Sequence, residues 1–174
     1  MLPKDITITT ATIKDAPALT ALGIETFCET FAKDNRKEDM DKYIAEEMNQ
    51  ARITEELNDK SNLFFLAYSN GTLTGYAKVC SRKKPDAPEG NAPLEIERIY
   101  VRKEHQGTKT GAALMQQCID YASSHEHDVI WLGVWEQNFK AVNFYKQWGF
   151  EFCGSHPFRL GDDIQTDVLM KKKL

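Results

Sequence analysis

One stretch of the chain, residues 94–122, constrains the fold more than any other. Leu94–Val101 alternates and is rich in β-branched and aromatic residues, which predicts a strand buried on both faces. The next eight residues are polar and include Gly107, which predicts a short loop. Apolar residues then recur at helical spacing, at Ala112, Leu114, Met115, Cys118, Ile119 and Ala122. A strand that leads through such a loop into a helix directs backbone N–H groups and the positive helix end at one point, which predicts an anion site.

A second segment, residues 128–150, also predicts a strand followed by a helix. Gly149 ends the helix, in the position where a left-handed residue is favoured. Asn138, Ala141 and Tyr145 are spaced i, i+3 and i+7, so they line one stripe of that helix. The small Ala141 keeps the stripe flat enough for a ligand to lie against it, between an amide and a phenol.

The composition predicts one globular domain. The chain has 174 residues, of which 41% are hydrophobic and 28% charged, ordinary values for a soluble protein. A net charge of −4 argues against a nucleic-acid-binding module, because such modules carry a basic excess. The four cysteines are far apart and show no metal-ligand spacing, which predicts free thiols and no bound metal. Because no apolar run has the length of a signal peptide or a membrane span, we expect a cytoplasmic protein that binds neither membrane nor nucleic acid.

The order of the predicted elements favours a single domain over residues 1–174. Strands are predicted at residues 6–10, 62–69, 72–81, 94–101, 128–135, 150–158 and 165–171. Asp15 and Asn35 are the predicted N-caps of the first two helices, and a third helix is predicted at residues 51–57. Asn70-Gly71 is a strong hairpin signal. This order predicts a mixed α/β domain with helices on both faces of a twisted sheet.

Both segments resemble motifs of the GNAT superfamily of N-acetyltransferases. The polar loop resembles motif A, Gln/Arg-x-x-Gly-x-Gly/Ala: Gln106 opens the pattern, Gly111 closes it, and Lys109 stands where the family has its first glycine. The second segment resembles motif B, Asn-x-x-Ala-x-x-Phe-Tyr-x-x-x-Gly-Phe, at Asn138, Ala141, Phe144, Tyr145, Gly149 and Phe150. The resemblance implies a single GNAT-type domain of α/β (α+β) class, with a central mixed, mostly antiparallel sheet.

The resemblance also implies acetyl-CoA as the cosubstrate, bound along the central strand, the polar loop and the second helix. The implied binding residues are Ile99, Tyr100, Val101, Gln106, Gly107, Thr108, Lys109, Thr110, Gly111, Ala112, Asn138 and Tyr145. Lys109 has a Cβ where the family's glycine lets the backbone approach the pyrophosphate. If its φ is negative, its ammonium can pair with a phosphate. If its φ is positive, we expect a distorted loop and weaker binding, unless Gly107 absorbs the difference.

Acetyl transfer to an amine needs a free amine, a donor to the developing oxyanion and a proton for the departing thiolate. A phenol, with an unperturbed pKa of about 10, stays protonated at neutral pH and can supply that proton. The resemblance assigns this general-acid role to Tyr145, although the residue alone could be a core aromatic beside Phe144. His156 either relays a proton or packs beside Phe158.

The base is less well defined by the sequence. Glu95 and Glu97 alternate onto one face of the central strand, and Ile99 and Val101 are predicted on that same face. A carboxylate in such a strand is costly without a partner. Family members often use a strand glutamate through water, so Glu97 is the candidate base and Glu95 the second. The alternative for Glu97 is an ion pair with Arg98 or a loop lysine.

Residues near both ends of the chain resemble the PaiA group, bacterial enzymes that acetylate spermidine and spermine. The matching stretches are ETFCETF, EDMDKYI and GDDIQTDVLM. A polyamine needs separated carboxylates to hold its distal ammonium groups, a role for which Glu25, Glu29 and Asp162-Asp163 are candidates, and Glu95 is a further predicted contact. The alternative for Glu25 and Glu29 is a solvated helix face.

The resemblance therefore implies an N-acetyltransferase that acts on a small-molecule amine, with a polyamine favoured. Two other functions stay open: acetylation of a peptide, a protein or another small amine, and a sensor that binds acetyl-CoA without turnover. The sequence leaves the oligomeric state open, with a homodimer as one option.

Overall fold

The structure, a computed structural model, describes residues 5–174, so the first four residues of the predicted domain lie outside it. The helices are α1 (Ala16–Phe31), α2 (Lys37–Glu47), α3 (Gln50–Asn58), α4 (Thr110–Ser124) and α5 (Phe139–Gln147). The strands are β1 (Ile6–Thr10), β2 (Asn62–Ser69), β3 (Thr72–Cys80), β4 (Pro93–Val101), β5 (Val129–Trp135), β6 (Glu151–Leu160) and β7 (Asp163–Lys173). Within this range no helix has the length and apolar character needed to cross a lipid bilayer.

The strands form one seven-stranded sheet in the order β1-β2-β3-β4-β5-β7-β6. Every neighbouring pair is antiparallel except β4 and β5, which are parallel. A parallel pair needs a crossover connection, and α4 supplies it. The predicted mixed, mostly antiparallel sheet is therefore confirmed.

Helices cover both faces of the sheet because its strands are apolar on both sides. In β2, Phe65 and Ala67 pack in the core beneath α4 and α5. Their neighbours Phe64 and Leu66 point the other way, into the core beneath α1 and α3. Alternation of this kind follows from the two-residue period of a strand. The predicted placement of helices on both faces is confirmed.

The parallel pair β4 and β5 is joined only at its start. The pairing runs from Pro93 opposite Val129 to Glu95 opposite Trp131 and then stops. Beyond this point residues 96–101 of β4 and residues 132–135 of β5 diverge, and we call the opening between them the β4–β5 gap. Peptide groups of β4 that face the gap are left for a ligand to bind.

A β-bulge in β4 corrects one prediction of the sequence. Lys78 of β3 pairs with Arg98, but the next residue of β3 pairs with Ile96, so Glu97 has no opposite partner. The extra residue reverses the alternation of the strand. Ile99 and Val101 therefore pack in the core beneath α4, whereas Glu97 lies on the opposite face. The prediction that Glu95 and Glu97 share a face with those two apolar residues is wrong.

The predicted helix caps are also corrected. Asn35 does not cap α2, which starts after Arg36; its side chain instead donates to the carbonyl oxygen of Phe31 at 2.8 Å. Asp15 stands at the N-cap position of α1, but its carboxylate accepts from the N–H of Thr12 at 2.7 Å instead of from the helix. The hairpin prediction is confirmed, because Asn70-Gly71 has two positive φ values, 48° and 78°.

Candidate active site

The predicted anion site lies where the β4–α4 loop enters α4. Gly107 and Lys109 both have positive φ, 81° and 72°, and α4 begins at Thr110. Thr108 donates to the carbonyl oxygen of His105 at 2.6 Å, which closes the loop into a tight turn. A Cβ built at Gly107 would have no heavy atom within 4 Å, so the outer side of the loop is open. Successive amides in such a turn, followed by the N-terminus of the 15-residue helix α4, have the arrangement that binds anions, so the loop stays the predicted site for a diphosphate.

Lys109 adopts the left-handed conformation that its family counterpart, a glycine, would adopt without strain. Its φ of 72° resolves the alternative that the sequence left open. The weaker coenzyme binding expected for a positive φ stays a prediction, and the lysine side chain is exposed.

Replacing Lys109 with glycine is expected to raise the free energy of unfolding by about 1 kcal/mol, because only a residue with a Cβ is strained at this φ. Denaturant unfolding of the two proteins measures the difference. The Lys109→Ala variant removes the charge but keeps the Cβ, so it should show no gain. Equal stabilisation by alanine and glycine would assign the effect to the charge and contradict the conformational argument.

Gln106 brings the two motif segments together. Its amide oxygen lies 2.5 Å from Nζ of Lys140 in α5, and its amide nitrogen donates to the carbonyl oxygen of Val101 at 3.3 Å. Gly111, near the start of α4, faces Phe144 of α5 and Val101, each 3.8 Å from a Cβ built there. The loop, the end of β4 and the start of α5 therefore form one surface.

The residues at the start of α4 divide into two groups. Thr110 is fully buried and contacts the hydroxyl of Thr108 at 3.1 Å, so its side chain supports the turn. Ala112 and Gly111 are half-buried and offer little bulk beside the gap. The small side chains leave room for a ligand along this helix.

Side chains at the end of β4 pack into the two cores, so only main-chain atoms can face the β4–β5 gap. Ile99 and Val101 belong to the core beneath α4. Tyr100 packs on the other face against Tyr76, with ring centroids 5.6 Å apart. This arrangement leaves peptide groups, and not these three side chains, to hold a ligand at this strand.

Tyr145 lies on the face of α5 that is turned toward the sheet. It is 8% exposed, and its ring packs against Phe144 and Phe150. Burial raises the pKa of its phenol above the usual range. The hydroxyl therefore stays protonated at neutral pH and can serve as a proton donor but not as a base.

Asn138 is the N-cap of α5. Its side-chain oxygen accepts from the N–H of Ala141 at 3.2 Å, which occupies the acceptor half of the amide. The sequence pattern places Asn138 among the residues that bind the cosubstrate, and the structure commits its amide oxygen to the helix. The amide NH2 group is the half that remains for a ligand.

Glu97 lies in a network of buried charges on the face beneath α3. It contacts Nζ of Lys78, which is 4% exposed, and Nζ of Lys84 at 2.8 Å. Burial by itself raises the pKa of a carboxylate, but the two lysines outweigh it and lower the pKa of Glu97 to about 2. A carboxylate held ionised this strongly is a weak proton acceptor. Its proposed role as base therefore has little support from its surroundings.

The carboxylate of Glu95 is more deeply buried than that of Glu97, and its negative charge is partly compensated by Lys84. Its Oε2 atom lies 2.6 Å from Nζ of Lys84, without hydrogen-bond geometry. Burial raises the pKa of Glu95, and the lysine only reduces that effect. The loop lysine that the sequence offered as a partner for Glu97 thus serves both glutamates.

The remaining members of the network were not identified from the sequence. Arg98 makes two hydrogen bonds to Glu56 of α3, at 2.6 and 2.9 Å. Lys78 lies 3.2 Å from the same carboxylate. The one signal in the sequence was a lysine inside an otherwise apolar strand, since its distant partners on α3 could not be inferred.

Glu25 and Glu29 of α1 face the β4–α4 loop. Glu25 lies 3.2 Å from a guanidinium nitrogen of Arg102, and Glu29 accepts from the N–H of Lys103 at 2.9 Å. Both carboxylates therefore join α1 to the loop. Their binding of a cationic acceptor stays a prediction.

Two clefts lie on the side of the sheet that α1 and α2 cover. The first, of about 310 Å³, is lined by Tyr43, Glu46, Glu47, Phe158, Arg159 and Gly161. The second, of about 290 Å³, is lined by Asp34, Trp135, Glu136, Gln137, Asp163, Ile164, Gln165 and Thr166. Asp162, by contrast, is paired with Lys42 at 2.7 Å. The first cleft is thus lined by carboxylates of α2. The second is lined by carboxylates of the segment after α1 and of the β5–α5 connection.

The comparisons with known proteins agree with this geometry. The model of the acetyltransferase (GNAT) family matches residues 24–150. An uncharacterised N-acetyltransferase of Lactobacillus delbrueckii subsp. lactis is 38% identical over 161 residues, covering 92% of this chain and 93% of that protein. The crystal structure of PaiA N-acetyltransferase from Thermoplasma acidophilum in complex with coenzyme A superposes with a TM-score of 0.78 at 22% identity, covering 97% and 99% of the two chains.

A more distant relative has a named acceptor. The spermine/spermidine N(1)-acetyltransferase of Bacillus subtilis is 25% identical over 103 residues, covering 59% of this chain and 67% of that protein. The family match spans most of the chain, and it includes the β4–α4 loop, the β4–β5 gap and Tyr145. The chain therefore belongs to the GNAT family and is an acetyl-CoA-dependent N-acetyltransferase.

Proposed function

We propose that the acceptor is a polyamine such as spermidine or spermine. The observation that carries this proposal is the pair of acid-lined clefts on the acceptor side of the sheet. A polyamine presents several ammonium groups separated by apolar methylene segments, so it needs carboxylates at more than one distance from the reacting amine. The partial similarity to the spermine/spermidine N(1)-acetyltransferase supports the same acceptor class.

The cleft beneath α2 has the chemistry that an ammonium group on a methylene chain requires. Glu46 and Glu47 supply negative charge, and Tyr43 and Phe158 supply aromatic walls, their rings 5.5 Å apart edge to face. Aromatic faces attract cations, and they also pack against methylene groups. Arg159 in the same cleft lies 3.5 Å from Asp162, which also pairs with Lys42, so the cleft carries one cation beside its two glutamates.

In the proposed reaction the acetyl-CoA diphosphate binds the amides of the β4–α4 loop, and the thioester lies in the β4–β5 gap. A main-chain N–H of β4 donates to the oxygen of the tetrahedral intermediate. The Tyr145 hydroxyl then protonates the thiolate that leaves. The amine attacks from the side that the two clefts share, on the sheet face opposite α4.

Charge removal in the α2 cleft is expected to act on polyamines selectively. The Glu46→Gln/Glu47→Gln double variant should raise the KM for spermidine by about 3- to 10-fold, since each exposed ion pair contributes about 0.2–1 kcal/mol. The KM for a monoamine should stay within twofold, because a monoamine has no second ammonium group to hold. Steady-state release of free thiol measures both.

Glu38→Gln is the matched control, because Glu38 is exposed on the same helix and does not line the cleft. It should change neither KM. Equal changes for spermidine and the monoamine in the double variant would contradict a distal ammonium site in this cleft.

The proposed function is tested by incubating the protein with acetyl-CoA and a panel of amines while thiol release is followed. The expected result is turnover with spermidine and spermine at a higher kcat/KM than with monoamines or peptide N-termini. A preference for peptides would replace the polyamine with a protein acceptor. Tight acetyl-CoA binding without thiol release for any amine would indicate a sensor.

A further inference from the structure

Both strand glutamates are engaged by lysines. An aliphatic amine, with an unperturbed pKa near that of lysine, about 10.4, arrives as an ammonium ion and cannot attack until it loses a proton. Glu97 contacts Lys78 and Lys84, which together lower its pKa to about 2. Glu95 is buried against Lys84 of the same network. His156, on the same face of the sheet, is not engaged by a lysine among the described residues, and it is the next candidate for the proton acceptor.

His156 of β6 is held between two carboxylates on that face. Its Nδ1 contacts Oδ2 of Asp86, which lies in the segment between β3 and β4. Its Nε2 lies 3.6 Å from Oδ2 of Asp167 on β7, beyond hydrogen-bond distance. With Nδ1–H donating to Asp86, the tautomer that we assign leaves the lone pair on Nε2. The ring is 27% exposed, so a ligand can reach it.

Gly133 of β5 opens a path from His156 to the β4–β5 gap. A Cβ built at this glycine would lie 3.3 Å from Nε2 and 3.4 Å from Oδ2 of Asp167. Gly133 is two residues beyond Trp131, the last residue of β5 that pairs with β4, and it shares a face with Trp131. The absence of a side chain therefore places Nε2 beside the start of the gap, on the side from which the acceptor enters.

Asp167 is placed to hold the ammonium group that His156 deprotonates. It is paired with His156 across β6 and β7 and with Trp135 across β5 and β7, so the three residues form one row. Burial raises the pKa of Asp167. Among the described residues, the phenols of Tyr43 and Tyr100 lie near Asp167, while Lys84 and the carboxylate of Glu95 lie near Asp86.

We propose that His156 is the general base of the acetyl transfer, that Asp86 positions its ring, and that Asp167 holds the acceptor ammonium beside Nε2. The inference requires acetyl transfer to an amine, but it does not depend on that amine being a polyamine. The three residues lie on β6, on β7 and in the segment between β3 and β4. None of them belongs to the β4–α4 loop or the α5 segment, which resemble the family motifs.

The proton and bond changes balance without any further reactant. An N–H bond of the ammonium breaks toward Nε2, which makes the ring an imidazolium, and the amine forms the C–N bond to the thioester carbon. The C–S bond breaks, and the thiolate takes the proton of Tyr145. A second proton leaves the attacking nitrogen for solvent, solvent reprotonates Tyr145, and the imidazolium releases its proton. An ammonium and a thioester thus give an amide, a thiol and one proton.

The test compares the pH dependence of kcat/KM in the wild type and in His156→Gln, over about pH 6 to pH 10 with one amine. The variant is expected to be at least tenfold slower at neutral pH, at the lower edge of general-base contributions. The difference should shrink at alkaline pH, where the amine is deprotonated without help, and acetyl-CoA affinity should not change. His125→Gln, at an exposed histidine after α4, is the matched control and should behave as the wild type.

A His156→Gln variant with the rate and pH profile of the wild type would overturn the proposal, as would a rate loss that is uniform across the pH range. Asp86→Asn provides a second test if the first variant does not fold. Removing that charge weakens the contact that fixes the ring, so kcat should fall several-fold while the KM for the amine stays within twofold, and Asp86→Glu should recover part of the loss. An unchanged kcat, or a loss that appears only in KM, would contradict the positioning role. Absence of turnover in the wild type would instead count against acetyl transfer itself.

Discussion

Replacing Tyr145 with phenylalanine is expected to lower kcat by about 10- to 100-fold, which corresponds to about 1.4–2.8 kcal/mol of lost transition-state stabilisation. The variant keeps the buried ring and its packing against Phe144 and Phe150, and it loses only the hydroxyl. Burial keeps that hydroxyl protonated, because it raises the pKa above the usual range. The thiolate would then have to leave without a proton donor from the protein.

Steady-state kinetics with saturating amine measures the effect on kcat, and calorimetry measures acetyl-CoA binding, which should not change. Tyr68→Phe is the control, because this half-buried tyrosine of β2 packs with the core beneath α1 and α3 and lies in a different strand. An unchanged kcat in Tyr145→Phe would remove the phenol from the mechanism. A parallel loss of coenzyme affinity would show that the hydroxyl acts in binding.

Replacing Glu56 with alanine is expected to lower the free energy of unfolding by about 3–5 kcal/mol, because it leaves the buried Arg98 without its partner and removes one of the two partners of Lys78. Arg98 loses both of its hydrogen bonds to this carboxylate, and Lys78 loses a contact at 3.2 Å. The side chain of Arg98 is 13% exposed and that of Lys78 is 4% exposed, so water cannot replace the lost contacts. Chemical denaturation measures the difference, with the same dependence of the unfolding free energy on denaturant concentration (the m value) applied to both proteins.

The neighbouring Glu55 provides the matched control on the same helix. Its side chain is 72% exposed, and its ion pair with Arg52 is 3.8 Å long. Glu55→Ala should therefore cost less than about 1 kcal/mol, the usual range for surface pairs. If both variants lost the same stability, the network beneath α3 would contribute no more than an exposed ion pair.

Local patterns predicted most elements because each depends on neighbours in sequence. The Asn70-Gly71 hairpin, the helix end at Gly149 and the alternation of β2 are all consequences of backbone preference or of the two-residue strand period. The strand, loop and helix around Gly107 were predicted for the same reason. The diphosphate site predicted there involves only one short segment of chain.

Predictions that depended on distant contacts were less successful. The bulge at Glu97 reversed the faces expected for the residues after it, and no local pattern signals an unpaired residue in one strand of a pair. Glu97 itself was interpreted as a base, but Lys78, Lys84 and the face that they share became apparent only in the folded sheet. A pKa is determined by surroundings in space, so sequence spacing does not predict it.

By itself the sequence determined the order of the elements and the left-handed turns, and it predicted a diphosphate at the β4–α4 loop and a proton donor at Tyr145. Each of these follows from the conformational preference or the intrinsic chemistry of residues within one segment. The tertiary structure alone decided that β4 and β5 diverge after three residue pairs, and that His156, Asp86 and Asp167 meet beside the opening. The residues involved are up to 81 positions apart in the sequence (from residue 86 to residue 167), so they come into contact only when the whole sheet assembles.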